Sequence, residues 1–99
     1  MRERAVELLN EKIGYPDGSI REMVLWKLPR PSKDRPHGFK YRLHYVHQGG
    51  LTWIRYDNER DKGDHRHIGD KEEPYVFRNP GQLVRDFLAD IARIRREKS

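Results

Sequence analysis

The chain contains no cysteine. Disulfides and thiolate chemistry are excluded, and the redox compartment leaves no mark on the sequence. Apolar residues are scarce as well: 34% of the 99 residues are hydrophobic and 37% are charged, so only one thin core can form in one small domain spanning residues 1–99. No apolar run approaches the roughly 20 residues that cross a bilayer as a helix. The opening Met1-Arg2-Glu3-Arg4-Ala5-Val6-Glu7 lacks an apolar signal-peptide core, which makes a cytoplasmic protein the expectation. There is no internal repeat and no low-complexity tract. Positive charge, by contrast, is plentiful. A formal net charge of +5 points to an acidic partner, with nucleic acid first, although solubility alone also accounts for it.

Two segments flank a turn at the start of the chain. Tyr15-Pro16-Asp17-Gly18-Ser19 has strong turn chemistry, and Ile20 to Leu28 is rich in β-formers. Residues 2–13 fit either a helix closed by Gly14 or a strand. The turn favours an antiparallel hairpin, with the helix kept as the alternative. Pro29 to Gly38 carries three prolines and reads as a loop. Phe39 to Val46 alternates cleanly, with Phe39, Tyr41, Leu43 and Tyr45 on one face and Lys40, Arg42 and His44 on the other. His47-Gln48-Gly49-Gly50 turns the chain, and Leu51 to Tyr56 returns. Pairing Val46 with Leu51 sets Leu43 against Ile54, Tyr41 against Tyr56, His44 against Trp53 and Arg42 against Arg55. Two facing arginines repel unless carboxylates or a bound anion neutralise them. With Trp53 as a stacking plane, they suggest a surface for single-stranded nucleic acid. Glu7, Glu11 or Glu22 from the first hairpin could equally neutralise them.

Ile68 to Pro74 reads as a polar bend, and Tyr75-Val76-Phe77 as a short edge strand. Asn79-Pro80-Gly81-Gln82 opens a helix, with Asn79 as N-cap and Gln82 closing a capping box. Leu83, Val84, Phe87, Leu88, Ile91 and Ile94 form its apolar stripe. The expected fold class is α+β: a small, meander-like antiparallel sheet of roughly four to five strands packed by a C-terminal amphipathic helix.

Between these elements lies Tyr56-Asp57-Asn58-Glu59-Arg60-Asp61-Lys62-Gly63-Asp64-His65-Arg66-His67. From Asp57 to His67 it has no aliphatic or aromatic residue, so it reads as a surface loop. It supports three kinds of chemistry. In metal-independent RNA cleavage, a base takes the 2′-hydroxyl proton and an acid protonates the leaving 5′-oxygen. Imidazole suits either task, and Lys62, Arg60 and Arg66 would balance the added negative charge. Glu59 or Asp64 would orient a ring. The candidate catalytic set is therefore His65, His67, Lys62, Asp64, Glu59 and Arg60, and the candidate nucleic-acid contacts are Lys40, Arg42, His44, Trp53, Arg55 and Arg66. In the second reading, His65 and His67 point the same way on an extended segment and join Asp64 or Asp57 around a divalent ion, although the guanidinium neighbours oppose a cation. In the third, the segment is an ion-paired loop closed on itself.

The same run resembles the TumE family of toxins from prokaryotic toxin–antitoxin pairs. The resemblance extends to Tyr15-Pro16-Asp17-Gly18-Ser19, Glu22-Met23-Val24-Leu25-Trp26, Phe39-Lys40-Tyr41-Arg42-Leu43, Glu73-Pro74-Tyr75-Val76-Phe77 and Arg85-Asp86-Phe87. It departs at Asp61, where the family commonly has glycine. The resemblance implies the toxin half of a type II module, with RNA as target and a neighbouring antitoxin, often a helix-turn-helix protein, as partner. The resulting expectation is a ribonuclease toxin needing no cofactor or metal, with a homodimer left open. A non-enzymatic nucleic-acid or protein-binding module and a metal-dependent hydrolase remain the alternatives.

Overall fold

The computed structural model describes residues 4–47, 49–50, 52–58 and 63–98. Six antiparallel strands follow one another in a single meander: β1 (Val6–Gly14), β2 (Ile20–Lys27), β3 (Phe39–Val46), β4 (Thr52–Asp57), β5 (His65–Ile68) and β6 (Lys71–Pro74). One helix, α1 (Pro80–Lys98), follows them. The α+β class and the C-terminal helix are as expected, but the sheet has six strands rather than four to five.

The first arm is a strand. Tyr15 and Ser19 close the turn, with the Tyr15 N–H donating to the Ser19 carbonyl at 2.8 Å, and Gly18 takes the positive φ of 90° that the turn requires. The extra strands come from the segment taken as loop and bend. Ile68 pairs with Lys71 across only Gly69 and Asp70, and Gly69 at φ 59° supplies the left-handed residue of a two-residue hairpin. The expected edge strand at Tyr75–Phe77 is not formed. The strand lies just before it, at Lys71–Pro74.

The β3–β4 register also differs from expectation. Leu43 opposes Tyr56, Tyr45 opposes Ile54, His44 opposes Arg55 and Arg42 opposes Asp57. The ladder shifts between Tyr45 and Val46, and Val46 pairs with Thr52, which leaves Trp53 as the extra residue of a bulge. Away from the bulge the displacement is two residues, so each side chain keeps its expected face. Arg42 and Arg55 are therefore not directly opposed.

The helix covers one face of the sheet. Met23, Leu25, Tyr41, Leu43, Tyr45, Ile54 and Tyr56 pack there against Leu83, Phe87, Ile91 and Ile94, all buried. Burial of each such side chain contributes about 1.5–3 kcal/mol. Polar tethers fix the helix along its length. The Tyr75 hydroxyl donates to Asp86 at 2.6 Å, the Tyr56 hydroxyl to Asp90, and Arg95 reaches Asp17, Ser19 and Tyr45, each at 3.0 Å. Asn79 caps the helix, its side-chain oxygen accepting from the Gln82 N–H at 2.8 Å. Gln82 does not close a capping box; its amide donates instead to Asp86 at 2.7 Å. Asn79→Ala is expected to lower stability by about 1 kcal/mol, read from the urea midpoint at unchanged slope.

Candidate functional site: the open face of the sheet

The second face of the sheet has no helix over it. Directly opposed residues on neighbouring strands share a face, so the pairings order this surface into rows. One row runs Lys12, Glu22, His44, Arg55, His67 and Glu72, one residue from each strand. The next runs Asn10, Val24, Arg42, Asp57, His65 and Pro74. A third, shorter row holds Glu7, Trp26 and Lys40.

Carboxylates stand beside the arginines in these rows. The Arg55 Nε lies 2.5 Å from Asp57 Oδ2, and the His65 Nε2 lies 2.8 Å from Asp57 Oδ1. Glu22 Oε1 lies 3.3 Å from the His44 Nε2 and 3.9 Å from Arg42. Of the carboxylates expected to neutralise the arginines, Glu22 serves Arg42. Arg55 is served by Asp57, and Glu11 turns to Arg21 at 2.8 Å.

The two histidines of β5 differ in freedom. Their rings meet edge to face with centroids 5.3 Å apart. His65 is buried, with Nε2 on Asp57 and Nδ1 facing the Gly63 carbonyl at 3.0 Å. Both partners are acceptors, so this ring fills both contacts only when each nitrogen carries a hydrogen. His67 keeps about a third of its side chain exposed, at 35%, and its Nε2 lies 3.7 Å from Glu72. His44 is half-buried. Burial draws its pKa below the ordinary value; Glu22 opposes this, while Arg42, Arg55 and Lys12 add to it.

Not every expected site residue lies here. Lys40, Arg42, His44, Arg55, His65 and His67 share the open face. Glu59, Arg60 and Lys62 lie outside the described residues. Arg66, between the two histidines, points to the helix side, where it meets Glu73 at 2.5 Å, the Tyr56 hydroxyl at 3.2 Å and Asp90 at 3.4 Å. Asp64 takes the Tyr41 hydroxyl at 2.6 Å and the His37 Nε2–H at 2.9 Å, while the His37 Nδ1 accepts the Phe39 N–H at 3.0 Å. Asp64 thus anchors the Pro29–Gly38 loop to the sheet rather than orienting His65 or His67. Burial and this carboxylate together push the Tyr41 hydroxyl pKa well up, so it stays a donor. Trp53 stacks on His47 with centroids 4.9 Å apart and leans against the core.

The open-face tryptophan is Trp26. With Val24, Lys40, Tyr41 and Arg42 it lines a recess of about 200 Å³. Its parity with Glu22 and Val24, opposite the basic side of β3, was the available signal. Asp57 was also missed as a central group, because its place on the final residue of β4 depends on the register.

The residues could gather a metal only in part. The ligand atoms of His65, His67 and Glu72 lie within 4.8 Å of one another. An ion there would have to draw a His65 nitrogen away from Asp57 or Gly63, and a divalent cation would sit close to the row that holds Arg55.

Fold and site together define a small α+β protein whose sheet is closed by a helix on one side and presents an open, histidine- and arginine-bearing surface on the other. The chain belongs to the TumE toxin family: the family model described as Toxin TumE matches residues 5–95. A toxin of this family has a cognate antitoxin as partner. Neither a curated protein nor a solved structure matches the chain. Among the described residues, no helix is long and apolar enough to cross a membrane.

Proposed function

We propose that this toxin is a metal-independent endoribonuclease of a type II toxin–antitoxin module, acting in the cytoplasm and held inactive by a helix-turn-helix antitoxin. The observation that supports this best is the row His44–Arg55–His67, in which an arginine on β4 stands between histidines on the two neighbouring strands. Arg55, with 46% of its side chain exposed, can hold a phosphate while its Nε remains on Asp57. A single RNA strand would run across the face, with a base stacked on Trp26 and its backbone on Lys40 and Arg42. Of the two β5 histidines, His67 is placed to exchange a proton with RNA. His65 is committed to Asp57 and Gly63 and props Asp57 beneath Arg55.

The test is incubation of the purified toxin with RNA in excess chelator. The expected products carry a 2′,3′-cyclic phosphate on one fragment and a 5′-hydroxyl on the other. Binding without cleavage would identify a non-enzymatic binding module instead. Cleavage that appears only after a divalent ion is restored would favour the hydrolase reading and the His65, His67 and Glu72 cluster.

A further inference from the structure

Cleavage of RNA through its 2′-hydroxyl needs two proton-exchanging groups, and of the β5 pair His65 has both nitrogens taken, which leaves His67. The row offers the other. His44 and His67 lie on either side of Arg55, one strand away in each direction. Strands are about 4.8 Å apart, so the two backbones stand roughly 10 Å apart with the guanidinium-bearing strand between them. A phosphorus under in-line attack, with a hydrogen bond of about 2.8 Å at the entering and leaving oxygens, needs its base and acid on the order of 9 Å apart. The row leaves room for that span, because side chains from β3 and β5 can reach toward a phosphate lying over β4, whereas the His65 ring is already held by Asp57 and the Gly63 carbonyl.

We propose that His44 is the general base of the reaction, taking the 2′-hydroxyl proton while His67 gives a proton to the departing 5′-oxygen. This rests on the ribonuclease reading above. The 2′-oxygen–phosphorus bond forms as the phosphorus–5′-oxygen bond breaks. The 2′-proton ends on His44, and the proton leaving His67 ends on the 5′-hydroxyl. Arg55 faces the phosphate oxygens throughout.

The surroundings of His44 suit a base. Lys12 on β1, Arg42 on β3 and Arg55 on β4 face it as cations, and Glu22 on β2 faces it as a carboxylate. Glu22 at Nε2 favours the tautomer with its hydrogen there, which leaves Nδ1 to accept. Burial first, and then the three cations, draw the pKa below the ordinary imidazole value, which favours the neutral ring that a base needs. Base catalysis is therefore fully available above that pKa and declines as pH falls through it.

The experiment is single-turnover cleavage of an RNA oligonucleotide in chelator across pH. The wild-type rate should fall in acid with a midpoint lower than that of a free imidazole. Removing the carboxylate in Glu22→Gln should move that midpoint down, and removing a cation in Lys12→Met should move it up. His44→Ala should be about 10²- to 10⁴-fold slower, with RNA binding measured by anisotropy changed far less. A substrate with sulfur in place of the 5′-oxygen needs no protonated leaving group, so it should restore cleavage to His67→Ala but not to His44→Ala. Full activity in His44→Ala, rescue of that variant by the sulfur substrate, or an acid limb that stays put in both Glu22→Gln and Lys12→Met would overturn the assignment of His44 alone. RNA left intact by the wild-type protein would overturn the ribonuclease reading and this assignment with it.

Discussion

His67→Ala is expected to slow RNA cleavage by about 10²- to 10⁴-fold, the range for one lost general acid, while stability stays within about 0.5 kcal/mol. The two effects separate because of where the side chain sits. His67 is a third exposed, and its nearest carboxylate contact is Glu72 at 3.7 Å, itself 45% exposed. An exposed pair of this kind contributes little to folding. Neither the core nor the helix tethers touch it. In cells, expression of the wild-type toxin without antitoxin should arrest growth, and His67→Ala should relieve the arrest at equal protein level. Arrest that persists in a stably folded His67→Ala protein would transfer the toxicity to binding. The paired measurements are the initial rate on a defined RNA and the urea midpoint.

The faces of the sheet were legible in the chain because side-chain alternation survives a register error of two. Lys40, Arg42, His44 and Arg55 lie on one side whether Leu43 meets Ile54 or Tyr56. What alternation could not reveal was the bulge that sets Trp53 outside the β3–β4 register, since a bulge depends on how the connection between the two strands closes. Trp26 takes the open-face place expected of Trp53, because β2 aligns Trp26 with Lys40. The β5–β6 hairpin was hidden for a different reason. His65, Arg66, His67, Lys71, Glu72 and Glu73 carry no apolar stripe, so nothing in hydropathy separates them from loop. Their strand character rests on backbone pairing with β4 and on the tight turn at Gly69. Once His65–Ile68 is a strand, period two alone sends Arg66 to the helix side and keeps His65 and His67 together. The density of charge from Asp57 to His67 therefore does not mark one cluster. It divides into an open-face group with His65 and His67 and a structural group with Asp64 and Arg66.

Asp57→Ala should be among the most destabilising substitutions in the molecule, costing about 1–3 kcal/mol, because a nearly buried His65 is left without its acceptor while the half-exposed Arg55 returns to water. Asp57 is only 4% exposed, and its two oxygens are divided between Arg55 and the nearly buried His65. Without it, the His65 Nε2 loses its acceptor, and no bulk solvent replaces it at 10% side-chain exposure. Asp57→Asn should cost less, about 1 kcal/mol, because the amide oxygen still accepts one hydrogen bond. The same carboxylate fixes Arg55, so both variants should also weaken RNA cleavage. In Asp57→Asn the protein remains folded, and a loss of rate there reads the positioning of Arg55 directly. Thermal and urea unfolding of the two variants check the order Ala worse than Asn. Equal and small losses would mean that His65 turns to another acceptor when Asp57 is gone, and that the buried pair does not anchor the open face.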